Sequence, residues 1–557
     1  MNEFSILIGG KAGFGIDKAG LMIAGLMGRL GYRCYIYRDY PSLIRGGHTF
    51  SIIRASSEKV GAHSDRVDVL LALNQETADI HKGRVRPGGV IIYDSDVMKP
   101  ETVSDTKNAI GLGMTLIVKE EGAGDIMRNT CMIGAFARSA GIAWDIVDSV
   151  IRKNISNDLD LNLKIARRAF DASKELVALV KPGKEALPLV TGNEALALGL
   201  VKAGLRSYIS YPMTPSSPIL HYLANLSEEF GLKVIHPESE IAVIMMALGL
   251  AYCGEKVAVG TSGGGFCLMT EGLSFSGMAE LPVVVVLGQR PGPSTGLPTY
   301  SCQTELQFAL SAGQGEFARF IIAPGDAEEA YHAAQLAMFV SWKYQTPSII
   351  LTDKAMAEGS YSFDAEAFGK VEEASLPLWD RKGAYKRYMD SDTGVSALAF
   401  PGTKDAVVKA NSYEHDEAGI STEDPAVTVK MQDKRLRKGR YLADEIDGYD
   451  CVKVYGKKDS KTALLCWGSN RGVCVEAANT LGLKVVCPYV MEPFPVKQFR
   501  AALEGAEKVI AVENNATGQL AKLVAPYGCR PDASVLKYDG RNFSIEELED
   551  RLRKVIG

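Results

Sequence analysis

The amino-acid sequence predicts an α/β protein of three βα domains, the second built on a doubly wound parallel sheet. Three observations carry this reading. Short apolar runs alternate with amphipathic helical stretches over most of the chain, as strand–helix–strand units require. Leu281–Leu287 is nearly pure valine, the composition of a strand buried on both faces. Glycine and proline mark the turns between these runs, and the 557 residues include 56 glycines.

Breaks in the pattern divide the chain at 1–184, 189–355, 356–458 and 459–557. In the first segment, Phe4–Ile8 reads as a strand, Gly9–Gly15 as a glycine loop and Ile16–Leu30 as an amphipathic helix. Such a loop either cradles a phosphate or lets strand and helix pack closely. A second loop, Tyr40–His48, joins two strands and carries Arg45, Gly46 and Gly47; strands near Val67–Leu73 and Gly89–Asp94 follow. Three helices close the segment, and Lys181–Pro188 links it to the next. There the alternation is regular: helix Asn193–Ala203, a strand to Tyr211, helix Ser217–Phe230, strand Lys233–His236, helix Ser239–Cys253 and strand Lys256–Thr261. Gly263-Gly264-Gly265 opens a further helix, and strands Arg319–Ala323 and Ser348–Asp353 complete the sheet. From 356 to 458 the period is lost, which predicts a long connector with short elements wrapped over a surface. Its basic run, Lys434–Lys438, reads as a solvated helix face. The last segment has strands near Thr462–Trp467, Lys484–Val490, Lys508–Glu513 and Ser534–Lys537, and helix Ile545–Val555 closes it.

Composition narrows the function classes. A net charge of −5 offers no general attraction to nucleic acid or an anionic membrane. The longest apolar stretches are too short to span a bilayer, and the amino terminus enters a strand directly instead of a signal sequence. The ten cysteines are scattered with no CxxC, which suits a reducing cytoplasm and provides no local cluster for zinc or iron–sulfur.

The chemistry centres on Tyr208–Glu240. Tyr211-Pro212-Met-Thr214-Pro is a stiff turn that presents Thr214 at the carboxyl end of a strand, where ligands of open α/β sheets bind. Ser216, Ser217 and Pro218 read as a helix start with a serine cap and a proline in the first turn. Glu240 opens a helix with no further charge, either as a partner of the helix amino end or as a carboxylate in a dry site. Glu238 has the same candidacy but faces another side of the helix. Arg290 follows the valine strand, and its planar fork suits a carboxylate.

Tyr211-Pro-Met-Thr-Pro-Ser-Ser217, with Glu240 and Thr261–Gly265, resembles the 2-oxoacid:ferredoxin oxidoreductases, specifically the alpha subunit with a gamma-type domain fused at its amino end. Met213 departs from the isoleucine more usual in that family. Glu414-His-Asp-Glu417, Asp433–Lys438, Glu513–Gly518 and the loop Arg45-Gly46-Gly47 resemble the 2-oxoglutarate branch. The resemblance implies a gamma-type first domain, a thiamine-pyrimidine-type second domain and a transketolase-C-terminal-like last one. It implies that Glu240 activates the aminopyrimidine of thiamine diphosphate, with Pro212, Gly263 and Gly264 beside the cofactor. Thr214, Arg290 and Tyr211 would bind the 2-oxoacid, and Arg45, Gly46 and Gly47 coenzyme A. The chain has no Gly-Asp-Gly stretch with a downstream Asn for Mg²⁺ and diphosphate, and no cysteine cluster. Both would come from a beta subunit, which would pass electrons to ferredoxin. Two other readings stand beside this one: a non-redox thiamine diphosphate enzyme subunit, and a non-catalytic nucleotide-binding regulator that uses Gly9–Gly15.

Overall fold

A computed structural model describes residues 3–42, 46–103, 108–177, 179–367 and 375–556, arranged in two compact units. The class is α/β as the sequence predicts, with three sheets among the described residues.

The first unit comprises Met1–Val190, Gly359–Asp364 and Phe543–Gly557. In its mixed sheet, strand Glu3–Lys11 lies between Val67–Ala72, parallel, and His48–Ser56, antiparallel. Gly9 and Gly10, read from the sequence as loop, are strand residues paired with Phe50 and Thr49. A Cβ at Gly9 would sit 2.7 Å from the Thr77 side chain, so glycine serves close packing here. Helices Ile16–Arg29 and Leu159–Asp171 bury one face, and Arg128–Ser139 nearly its whole circumference, in a core that includes Ile23, Leu26, Ile133, Phe136 and Ala166. The closing helix Ile545–Ile556 belongs to this unit, not to the last segment as its place in the chain suggests. Its Glu546 accepts from the Asp65 backbone N–H at 2.9 Å, and Leu548 and Leu552 are fully buried.

The second unit comprises Thr191–Glu358 and Ala365–Asn542. Its larger sheet runs Lys233–Ile235, Ser207–Ser210, Val257–Ser262, Val283–Gln289, Pro347–Asp353 and Phe320–Ile322, all parallel, with Val490–Glu492 antiparallel at the edge. Val283–Gln289 is buried along its whole length, which accounts for its valine run. Chain order reverses about Ser207–Ser210: the next strand, Lys233–Ile235, pairs on one side and Val257–Ser262 on the other. That is the topological switch point at which such sheets bind ligands. The smaller sheet, Val452–Gly456, Lys484–Pro488, Thr462–Leu465, Lys508–Glu513 and Ala533–Leu536, is parallel except for its first strand. Arg471 joins the two sheets' layers through buried ion pairs to Asp326 and Glu329.

Two expectations about 356–458 need correction. It contains the 22-residue helix Pro425–Ile446, not only short elements. The basic run on that helix is not solvated: Lys434 and Lys438 are buried and each pairs with Glu280 at 2.6 Å, and Arg435 pairs with Glu414 at 2.6 Å. Glu280 ends helix Gly263–Ala279 in the left-handed region, and its buried carboxylate draws both lysines inward. Arg387 adds hydrogen bonds to the Ala279 and Glu280 carbonyls, so the connector does wrap a surface, that of the larger sheet's helices.

Candidate functional site

Four segments meet at the carboxyl ends of the strands around the switch point. After Ser207–Ser210 the chain turns through Tyr211–Pro215. The backbone N–H groups of Ser216 and Ser217 close the turn on Met213 O at 2.9 and 3.0 Å. Ser216 stands at the N-cap of helix Ser217–Asn225, but its backbone is already helical, so its hydroxyl donates back to Met213 O at 2.9 Å instead of capping. Pro218 lies in the first turn, as expected.

Thr214 is half-buried, and its carbonyl accepts a hydrogen bond from Arg290 Nη1 at 2.9 Å. Arg290 follows directly on strand Val283–Gln289 and is half-buried; burial pulls its pKa below the ordinary value, countered in part by Glu305. One hydrogen bond thus ties Arg290 to the threonine turn, and among the described residues the rest of its fork has no hydrogen-bond partner.

Burial separates the two glutamates after strand Lys233–Ile235. Glu240, first residue of helix Glu240–Tyr252, is 6% exposed, whereas Glu238 is exposed. Ser239 caps that helix by accepting from Ala242 N. A Cβ at Gly265 would sit 2.6 Å from Glu240 Oε1 and 2.3 Å from Thr261 Oγ1, so glycine alone admits this carboxyl to the neighbouring turn. Ser262 Oγ, in the same turn, is buried and has no hydrogen-bond partner among the described residues. A dry carboxyl beside a polar, glycine-lined turn fits the pyrimidine half of thiamine diphosphate.

An open cleft of about 440 Å³ brings Gly263, Gly264 and Arg290 together with Met213, Glu305 and Phe308. Tyr211 and Pro212 are exposed beside it, and the Tyr211 ring meets His236 edge-on at 6.0 Å. Arg45 lies outside the described residues. Gly46 and Gly47 take φ of 85° and 79°, and Gly47 O accepts from Ala12 N at 3.1 Å. The sequence reading missed Glu305. Its only trace is a polar Gln303-Thr-Glu305 before the apolar Leu306, which reads as an ordinary helix start.

The faces next to the cleft are unusually apolar. Helix Glu240–Tyr252 has no charge after its first residue, yet Ile241, Met245 and Met246 are 44–55% exposed, and Leu268 on helix Gly263–Ala279 is 50% exposed. Patches of this kind mark association surfaces. No described helix is long and apolar enough to cross a membrane.

Comparison with known proteins defines first a class. Residues 198–434 match the family described as pyruvate flavodoxin/ferredoxin oxidoreductase, thiamine diphosphate-binding, and residues 5–172 match pyruvate ferredoxin/flavodoxin oxidoreductase. These matches and the parallel-sheet fold make the chain an oxidoreductase subunit of the thiamine diphosphate-binding type. It is 30% identical to the 2-oxoacid:ferredoxin oxidoreductase subunit alpha of Saccharolobus solfataricus, over 100% of this chain and 98% of the relative. It is also 28% identical to the 2-oxoglutarate oxidoreductase subunit KorA of Mycobacterium tuberculosis, over 99% of this chain and 91% of that one. A solved 2-oxoglutarate:ferredoxin oxidoreductase of Magnetococcus marinus, with 2-oxoglutarate, coenzyme A and succinyl-CoA bound, superposes over 100% of both chains with a TM-score of 0.90 at 29% identity. The chain belongs to the alpha subunits of the 2-oxoacid:ferredoxin oxidoreductases.

Proposed function

We propose that this chain, joined to a beta subunit, oxidatively decarboxylates 2-oxoglutarate with coenzyme A to succinyl-CoA and passes the electrons to ferredoxin. The observation that carries the substrate is the full-length likeness, TM-score 0.90, to a structure holding 2-oxoglutarate, coenzyme A and succinyl-CoA. Membership of an oxidoreductase family favours this reading over a non-redox enzyme or a regulator.

In this reading 1–184 is the gamma-type domain, 189–355 the pyrimidine-binding domain, 356–458 the connector and 459–542 the last α/β domain, the closing helix Ile545–Ile556 going with the first unit. When bound, thiamine diphosphate supplies the nucleophilic carbon that attacks the 2-oxo group. Glu240 holds and moves a proton at the aminopyrimidine ring, which its burial beside Gly265 supports. Pro212, Gly263 and Gly264 line the cofactor's approach. Arg290 binds the substrate carboxylate and Thr214 its oxygen, and Tyr211 covers the entrance; the Arg290–Thr214 hydrogen bond supports their acting together. Gly46 and Gly47, with Arg45, contact coenzyme A. The exposed apolar residues at the cleft receive the beta subunit, which brings Mg²⁺, the diphosphate site and the iron–sulfur cluster. The complex works in the cytoplasm.

A substrate panel tests the assignment. The co-purified complex is assayed with 2-oxoglutarate, pyruvate and a branched-chain 2-oxoacid, each with coenzyme A and an artificial electron acceptor. The highest kcat/KM is expected for 2-oxoglutarate, and a complex that accepts only pyruvate reassigns the substrate.

A further inference from the structure

Glu305 sits where a second charge changes what the cleft can hold. Its backbone N–H donates to Gln289 Oε1 at 3.0 Å, and Gln289 Nε2 donates in turn to Thr352 O at 3.2 Å. Gln289 directly precedes Arg290, so one strand end fixes both the carboxyl and the guanidinium. A Cβ at Gly263 would sit 2.9 Å from Glu305 Oε1, which is how a bulky acid reaches the cleft wall. Glu305 is 9% exposed, and Oε1 accepts from Thr304 Oγ1 at 2.8 Å. Oε2 is buried and has no hydrogen-bond partner among the described residues. A buried carboxylate with one bare oxygen is costly; protonation lowers that cost by removing the charge, and the O–H it creates then needs an acceptor.

We propose that Glu305 presents a protonated carboxyl to the substrate carboxylate held by Arg290, so that in alkaline solution binding a 2-oxoacid takes up one proton. This rests on the cleft being the 2-oxoacid site. Burial pushes the Glu305 carboxyl up to about 7, against the Thr304 hydrogen bond and the Arg290 charge. The other titratable groups lining the cleft are Arg290, at the end of strand Val283–Gln289, and Cys267, on helix Gly263–Ala279; Cys302, on Glu305's own segment, is buried behind it. Burial and Glu305 hold the Cys302 thiol far up, so it stays neutral. Glu305 and Arg290 feel each other's charge without forming an ion pair among the described residues, which leaves both for a ligand. A carboxylate docked on the guanidinium places a like charge before an ionised Glu305 and favours its protonated form.

The sign of the pH dependence follows. Below about pH 7 the free site already holds the proton, and above it each binding event must take one from solvent. KM for the 2-oxoacid should therefore rise about tenfold per pH unit above neutrality, with kcat changing less than about twofold. The test is KM and kcat of the co-purified complex from pH 6 to 9. Glu305→Gln should give a flat KM near the wild-type acidic value, because its amide N–H still donates. Thr304→Val removes the hydrogen bond that favours ionisation and should move the rise to higher pH, which settles the matter if the glutamine variant fails to fold. A complex that turns over 2-oxoacids with a pH-independent wild-type KM overturns this proposal alone. So does a Glu305→Gln or Thr304→Val profile that rises as the wild type does. A complex without 2-oxoacid turnover overturns the functional reading, and this proposal with it.

Discussion

Replacing Glu280 by glutamine tests how the connector is held to the larger sheet of the second unit. The Glu280 carboxylate is fully buried, and its two oxygens pair with Lys434 Nζ and Lys438 Nζ at 2.6 Å each. Burial pushes this carboxyl up, but Lys434, Lys438 and Arg387 together outweigh burial and hold it far below the usual carboxylate range. Burial pulls Lys438 down to about 8 against the attraction of Glu280. An amide at position 280 leaves two buried ammonium groups without a counter-charge, and breaking such a contact costs about 3–5 kcal/mol. The unit holds about 350 residues, so at ~2.1 cal/mol/K per residue its unfolding entropy is about 0.7 kcal/mol/K. Its melting midpoint should fall by about 4–7 °C in scanning calorimetry at neutral pH. Because the folded carboxyl lies below its unfolded value of 4.5, its contribution is present above that pH and is lost as the pH falls through the folded value. The gap between wild type and variant should thus narrow in acid. A variant that melts within about 1 °C of wild type at neutral pH would refute this account of the trio.

Two further predictions concern the site. Arg290→Lys keeps the charge but loses the planar fork and its hydrogen bond to Thr214 O, so kcat/KM for the 2-oxoacid should fall at least about tenfold. An unchanged kcat/KM removes Arg290 from the substrate. Glu240→Gln can still hydrogen-bond but transfers no proton. C2 hydrogen–deuterium exchange of thiamine diphosphate in the assembled complex should slow at least about tenfold. Wild-type exchange in this variant, with slowed exchange in Glu238→Gln, would assign the role to the other carboxylate.

What could be read in the sequence follows from which forces leave a pattern. The valine strand and the proline turn at Tyr211–Pro215 were legible because double-sided burial and fixed φ each have a characteristic composition. The choice between Glu238 and Glu240 was read as helix phase, but Glu238 lies before the Ser239 cap, outside the helix, and burial is what separates the two. Helix Pro425–Ile446 was hidden because its buried stripe, Met431, Lys434, Arg435, Lys438, Leu442 and Ile446, keeps helical spacing but fills half its positions with basic residues. The partner that makes them core, Glu280, lies 154 residues away from Lys434. Gly9 and Gly10 read as loop because glycine marks turns, although here it admits Thr77 to a strand. Glu305 left no pattern, because its role depends on a cleft built from distant turns. The placement of helix Ile545–Ile556 with the first unit rests on Asp65 and Ser64, far away in sequence.

The central claim is that this chain is half of an active site, and reconstitution measures it directly. The chain expressed alone should be colourless, bind thiamine diphosphate poorly and reduce no dye with 2-oxoglutarate and coenzyme A. Adding the separately purified beta subunit should restore colour, cofactor binding and dye reduction together, while Ile241, Met245 and Met246 become protected in the complex. Turnover of any 2-oxoacid by the isolated chain would contradict the account.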